Sequence, residues 1–412
     1  MQAAAKGGWR TRCCIVGGGP AGMMLGLLLA RVGVQATVLE KHGDFLRDFR
    51  GDTVHPSTRQ ILGEIGLLSQ FDKLPQRRID HFVGLIGKKS LDIVDLRGLH
   101  PFSDMALVPQ WDFLDMLADA GRRYPTFDLR MRHKATGLIE ENGRSAGVRV
   151  EAPDGALEIR ADLVVACDGR HSTLRNAVGL KATEFGAPMD VLWFRIPRRE
   201  SDTQNIFGII DGGHMMVLLD RGEYWQAAYL VPKGSDSKLR AQPIGVLRDS
   251  VAQLAPFLSD RAASIASWED VKTLSVQVDR LERWHRPGLL LIGDAAHAMS
   301  PIGGVGINLA IQDAVATANA LTQPLLGSAA IDESLLAQIQ RRREWPVRVV
   351  QSVQIEMQKR VISRALEQSG RPPRVPALLG WLLQFRFVRQ IPARLFAYGL
   401  RQEHVQTTER AA

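Results

Sequence analysis

Cysteine is scarce: Cys13, Cys14 and Cys167 are the only three in 412 residues. All three fall in apolar runs that read as buried strands, and two are adjacent, which argues against a disulfide framework and fits a reducing cytoplasm. Long apolar runs are missing too. The longest candidate, residues 378–388, is too short to span a bilayer and is broken by Gln384 and Arg386. Residues 1–12 are small, polar and basic with no apolar stretch, so they do not read as a secretion signal. The ten histidines lack the spacings of a metal site. No nucleic-acid motif accompanies the net charge of +8, and the basic residues crowding the last quarter, Arg341 to Arg343 and Arg348 among them, read as a solvated helix face.

What is present is organised around residues 13–40. An apolar run at 13–16 meets Gly17, Gly19 and Gly22 in GxGxxG spacing, helical character follows over 23–32, and 36–39 run apolar again before Glu40. Each glycine has its own task. The first permits the turn out of the strand, the second lets backbone amides approach a pyrophosphate, and the third lets the helix pack against the strand. Phosphate charge then meets the helix N-terminus, and the Glu40 carboxylate is placed for ribose hydroxyls. The spacing predicts an adenine dinucleotide. It does not by itself separate FAD from NAD.

Length suggests two or three domains. Pro56 suits the first turn of a helix ending near Gly66, and Arg47 and Arg50 just before it share the carboxyl edge of the sheet with the glycine turn. Residues 79–96 read as a hairpin about Gly87, and 112–123 as a helix opened by Gln110. Three short strands over 129–160 resemble an antiparallel meander inserted before the sheet resumes at 163–167. That strand stops at Asp168-Gly169, where the aspartate either meets a cofactor or caps the next helix.

Residues 185–278 change texture, with strands at 191–196, 205–210, 215–219, 224–231 and 273–278 and a helix at 244–254. Trp193, Phe194, Met215, Met216, Trp225 and Tyr229 are candidate pocket walls in this second unit, although core packing is the better reading for any one of them. The first unit returns at 289–292 and stops at Gly293-Asp294. Residues 300–308 then form a second glycine-rich entrance to a helix, able to stabilise negative charge. His297 reads better as a packed histidine than as a catalyst. Residues 331–366 read as helix and 374–400 as an amphipathic segment, open to packing on the first unit or to a membrane surface.

Three stretches, Gly17 to Gly22, Asp168 to Arg175 and Gly293 to Asn308, resemble the fingerprints of the class A FAD-dependent aromatic hydroxylases, the p-hydroxybenzoate hydroxylase family. The resemblance covers about residues 12 to 320. It implies an α/β fold: a Rossmann-like FAD-binding domain (1–180 and 285–330), an inserted sheet-rich substrate domain (181–284, with 79–96 open to joining its sheet) and a C-terminal helical segment (331–412). It gives Gly17, Gly19, Ala21 and Gly22 to the FAD pyrophosphate and Glu40, with Lys41 beside it, to the adenosine ribose. Arg50 becomes a contact for the FAD phosphates and for the nicotinamide cofactor. Gln110, Asp168 and Asp294 become further cofactor contacts, Gly304, Gly306, Ile307 and Asn308 the backbone that meets the flavin ring, and Pro301 a wall of the reaction chamber. Arg50 and Pro301 are thus the candidate catalytic residues.

The function implied is that NADPH or NADH reduces FAD, O2 adds to give a C4a-hydroperoxide, and an aromatic small molecule is hydroxylated. Cys167 departs from the alanine usual in the second fingerprint, as a small buried hydrophobe. A flavin-dependent dehydrogenase or reductase on the same fold, and a flavin-binding partner protein without turnover, stay open as alternatives.

Overall fold

The computed structural model describes residues 8–46, 53–87, 89–202, 206–327, 330–367 and 385–410. Arg47 and Arg50 lie outside the described residues.

Five parallel strands carry the first sheet: β1 (Gly8–Val16), β2 (Ala36–Glu40), β3 (Phe127–Met131), β4 (Gly155–Ala166) and β5 (Leu289–Leu291). Their order is β5-β4-β1-β2-β3, the dinucleotide-binding arrangement in which the first strand is central. β1 and β2 are buried on both faces at their carboxyl halves, which is why 13–16 and 36–39 are apolar without alternation. Helices α1 (Pro20–Arg31), α2 (Pro56–Glu64), α3 (Gln110–Gly121) and α4 (Gly306–Leu326) accompany this sheet. Leu25, Leu28, Leu29, Leu117, Ile311 and Val315 from three of them share one buried cluster with Cys13 and Ile15.

Two expectations change here. The expected meander does not stand apart from the sheet, because its last arm and the strand expected at 163–167 are one twelve-residue strand, β4. Residues 155–160 pair antiparallel with 147–152, and further along the same strand Val164–Ala166 pair in parallel with Leu289–Leu291. The first arm expected near 129 is instead β3, parallel to β2, and is cut off by Arg132 at φ 58°.

The second sheet has seven strands: Lys272–Leu274, Met189–Pro197, Tyr224–Pro232, His214–Asp220, Ile206–Asp211, His81–Ile86 and Lys89–Asp95, in that order. The last two are the hairpin about Gly87. The strand expected over 273–278 ends at Leu274, because the Val276 amide donates to the Asp190 carboxylate at 3.0 Å instead of to a neighbouring strand.

Alternation along these strands divides the expected pocket walls. Phe194, Met216, Trp225 and Tyr229 point to the face covered by the helix Gly245–Leu254, where they are core. Trp193 and Met215 point the other way, into a cluster with Ile302, Ile355 and Ile362.

The long helix α5 (Glu333–Met357) leads through a π-turn at Gln358–Ile362 into a short helix at Ser363–Glu367. Helix α6 (Arg386–Tyr398) buries Ala393, Ala397 and Tyr398 against Phe82, Leu96 and Met105, and Arg389 donates to Asp92 at 2.8 Å. The described half of the C-terminal segment therefore packs on the protein. Residues beyond it run back over α1, with the Arg410 amide on the Arg31 carbonyl at 3.1 Å and the Arg31 guanidinium on the Thr407 carbonyl at 3.1 Å. Among the described residues no helix is long and apolar enough to cross a membrane.

Candidate active site

The carboxyl ends of β1, β4 and β5 bring the three glycine- and aspartate-bearing turns to one sheet edge. At the first, Gly17 has φ 109°, and a Cβ there would lie 2.3 Å from the Cys167 carbonyl oxygen. A Cβ on Gly22 would lie 2.0 Å from the Gly17 carbonyl oxygen, which is what close helix–strand packing means in distances. Gly19 is different: a Cβ there meets no atom within 4 Å. It is also the N-cap of α1, with Pro20 behind it and no side chain capping the helix. Ala21 and Gly22 follow in the first turn of that helix, whose leading amides no side chain caps, a fit for pyrophosphate. Glu40 is held by the amides of Gly18 and His42, each at 3.0 Å, so its carboxylate is fixed beside that turn. Lys41 is exposed, and Gln110 opens α3 half-buried.

Of the two readings of Asp168, the geometry carries the helix cap. One oxygen, Oδ2, accepts from the Thr173 and Leu174 amides at 2.8 and 3.3 Å and caps the following helix. The other, Oδ1, is buried without a partner among the described residues. Burial pushes the Asp168 carboxyl up, opposed by those hydrogen bonds. An orphaned buried acceptor at this edge fits a ligand with hydroxyl donors. Asp294, a third exposed, stands 3.5 Å from Arg170.

The third turn runs into α4. Gly303 and Gly304 have φ 75° and 61°. A Cβ on the first would press into the Phe396 ring of α6 at 2.9 Å, and on the second into Thr53 at 2.8 Å. The Pro301 carbonyl accepts from the Gly304 amide at 3.1 Å, closing the turn. Asn308 holds the loop with its whole side chain. Its Oδ1 accepts from the His55 amide and the Thr58 hydroxyl, and its Nδ2 donates to the Thr53 and Gly304 carbonyls. What the first turn of α4 offers a ligand is backbone: no side chain caps this helix, and a Cβ on Gly306 meets nothing within 4 Å.

Three supports of this edge escape sequence reading: Asp313, Arg343, which is buried rather than on a solvated helix face, and His55. Asp313 of α4 accepts from the Gly293 amide at 3.1 Å, from His297 Nε2 at 2.6 Å and from Arg343 Nε at 2.8 Å, all buried. Burial raises its carboxyl, but His297 and Arg343 more than offset this and hold it below the usual range. His297 is therefore a buried partner of Asp313, stacked near Trp284, as its packed reading expects. The third support is His55, fully buried, whose Nδ1–H donates to the Phe396 carbonyl at 2.6 Å.

Burial drives the His55 imidazole down to about 4, against an ordinary value near 6.5. The folded protein thus binds fewer protons at this position than the unfolded chain between those two values, so stability rises with pH across the window and is lost as pH falls from about 6.5 to 4. The expected loss is about 3 kcal/mol. Urea midpoints at pH 7 and pH 4.5 should show it, and His55→Gln should remove that part of the slope. A variant with the wild-type slope would place the proton uptake elsewhere.

The family profile described as an FAD binding domain matches residues 10–353. The chain belongs to this family of class A flavoprotein monooxygenases. Over 395 residues, 95% of this chain and 93% of its relative, it is 31% identical to 6-methylpretetramide 4-monooxygenase of Streptomyces rimosus. It is 26% identical to para-nitrophenol 4-monooxygenase of Pseudomonas sp. strain WBC-3 over 74% of this chain and 76% of that one. Among solved structures, p-nitrophenol 4-monooxygenase from Pseudomonas putida superposes with a TM-score of 0.76 at 20% identity, covering 94% of this chain and 98% of that one, which speaks to the fold. This flavoprotein monooxygenase is accordingly an FAD-dependent oxidoreductase, with NAD(P)H as the usual co-substrate of its family.

Proposed function

We propose that the enzyme hydroxylates an electron-rich aromatic ring held between the seven-stranded sheet and the Pro301–Gly304 turn. The observation that carries this reading is the sheet face described above. Trp193, Met215 and Val217, all only partly buried, present an apolar surface in the same cluster as Ile302 of the turn, itself only partly buried. Such a surface suits a flat, uncharged ring positioned by packing rather than by an ion pair. Two relatives are named for aromatic substrates, 6-methylpretetramide and para-nitrophenol.

FAD, once bound and reduced, supplies the activation of O2. The chain's share is binding and electrostatics. The Ala21 and Gly22 amides hold the pyrophosphate, Glu40 takes the ribose, and Asp168 and Asp294 meet hydroxyls further along the cofactor. Backbone amides from Gly306 to Asn308, at the positive end of α4, would hold the flavin edge and favour negative charge there. The second sheet excludes water from the ring and fixes its distance. Arg50 is assigned to the FAD phosphates and to NAD(P)H on family grounds. A cytoplasmic location fits the cysteines, since Cys13 and Cys14 are free and buried and burial pushes the Cys14 thiol up to about 12. The membrane reading of the C-terminal segment now rests on residues 374–384, outside those described.

The test is NADPH and NADH oxidation with single-ring and fused-ring phenols under labelled O2. One phenol in the set should accelerate oxidation and gain one labelled oxygen atom. Turnover that continues without O2 would replace this reading by a dehydrogenase.

A further inference from the structure

Helix α5 and the first residue of the π-turn that continues it carry glutamines at i, i+3 and i+7, Gln351, Gln354 and Gln358, and all three are buried. An amphipathic helix buries apolar residues on its inner stripe, and an amide placed there is destabilising unless its groups find partners. All but one of the partners of their Nε2 groups lie on one stretch, residues 298–302. Gln351 Nε2 donates to the carbonyls of Asp279 and Ala298 at 2.8 and 3.1 Å. Gln354 Nε2 donates to those of Ser300 and Ile302 at 3.0 and 2.7 Å, and Gln358 Nε2 to the Ser300 hydroxyl at 2.7 Å. Every second carbonyl from 298 to 302 is thereby tied to one helix. Pro301, between the two carbonyls that Gln354 binds, turns its own carbonyl to the Gly304 amide.

Two further observations single out Gln354. Its Oε1 is buried without a partner among the described residues, so half of the amide is a net cost and the residue's value lies in its two donated bonds. The helix also changes character just beyond it, at the π-turn Gln358–Ile362, a distortion that recurs at functional sites. Ile355 and Ile362, flanking Gln354 and this turn, pack in the cluster that holds Trp193 and Ile302. One helix therefore touches both the turn leading to α4 and the wall opposite it.

We propose that Gln354 is a positioning residue that sets the Pro301–Gly304 turn against bound FAD, with Gln358 bracing Ser300 behind it. The proposal rests on the family reading. Gln354→Met keeps the volume and removes the donors, while Gln354→Glu keeps the shape and an acceptor but turns a charge toward two carbonyls. Added FAD is the probe, read by fluorescence quenching and by the fine structure of its visible absorption band, with far-UV circular dichroism as the check on folding. Both variants should bind FAD about tenfold more weakly, with a smoothed band, since a displacement near 1 Å in a positioned loop is felt at the site it serves. Gln351→Met, which acts upstream on Ala298, should leave affinity and band shape as in the wild type.

A merely structural role predicts that the Gln351 and Gln354 variants lose stability alike and leave the spectrum unmoved, and that result overturns the proposal. Should Gln354→Met not fold, Ser300→Ala removes the hydroxyl braced by Gln358, and an unaltered flavin band in that variant has the same force. A wild-type protein that takes up no FAD sinks the family reading instead.

Discussion

Arg343→Met is expected to lower the unfolding free energy by about 3–5 kcal/mol, the range found when one member of a buried ion network is removed. Arg343 is fully buried. Its Nε donates to Asp313 at 2.8 Å, and its Nη1 lies 3.4 Å from Glu403 and from the Arg401 carbonyl. Methionine fills the space but leaves the two buried carboxylates short of positive charge. Glu403 keeps Arg342 at 2.8 Å and Asp313 keeps His297, so the loss stays finite. Lysine should rescue little, because a point charge cannot reach two carboxylates and a carbonyl as a planar fork does. Urea unfolding of wild type, Arg343→Met, Glu403→Gln and the double variant checks the coupling, with the double variant losing less than the sum of the two singles. A loss below about 1 kcal/mol would mean that the network is dispensable.

The second large effect is on cofactor affinity, and two glycines separate its causes. Gly22→Ala puts a methyl group 2.0 Å from the Gly17 carbonyl oxygen, a backbone atom held in the first turn. The helix must lift off β1, carrying the Ala21 and Gly22 amides with it. FAD affinity should fall at least about 100-fold, about 2.7 kcal/mol, together with stability. Gly19→Ala places its methyl group where no protein atom lies within 4 Å. That variant should keep the wild-type urea midpoint yet lose FAD to a similar degree, because the methyl group occupies the space the pyrophosphate requires. Titration of both variants with FAD decides the point. Unaltered affinity in Gly19→Ala would put the phosphates elsewhere.

The parts of this molecule legible in its sequence are those fixed by local backbone demands. Gly17, Gly22, Gly303 and Gly304 stand where a side chain would strike backbone or a neighbouring side chain, and each lies within a few residues of a helix entrance. The Asn142-Gly143 turn, at φ 51° and 73°, is of the same kind. Elements whose surroundings change along their length were harder to read. β4 is half-exposed over 155–160 and buried over 163–166, so a single strand shows two patterns. Trp193 and Phe194 are neighbours in sequence on opposite faces of a sheet, and composition cannot say which face looks toward the cofactor edge. The supports of the site are nonlocal. Arg343 lies 30 residues from Asp313 and 60 from Glu403, and the Gln354 spacing is visible only once the loop it grips is known.

The strand order has a consequence for how the polypeptide is made. β1 is born first yet sits at the centre of its sheet, and β2 is the only partner it can find early. Its other edge stays bare until the ribosome has delivered residues 155–166, and β5 arrives later still. Until residue 166 of 412 has been made, the nascent chain therefore displays an open apolar strand of the type that recruits other chains. Residues 407–410 reach back to Arg31, so α1 is sealed by a stretch of chain synthesised long after it.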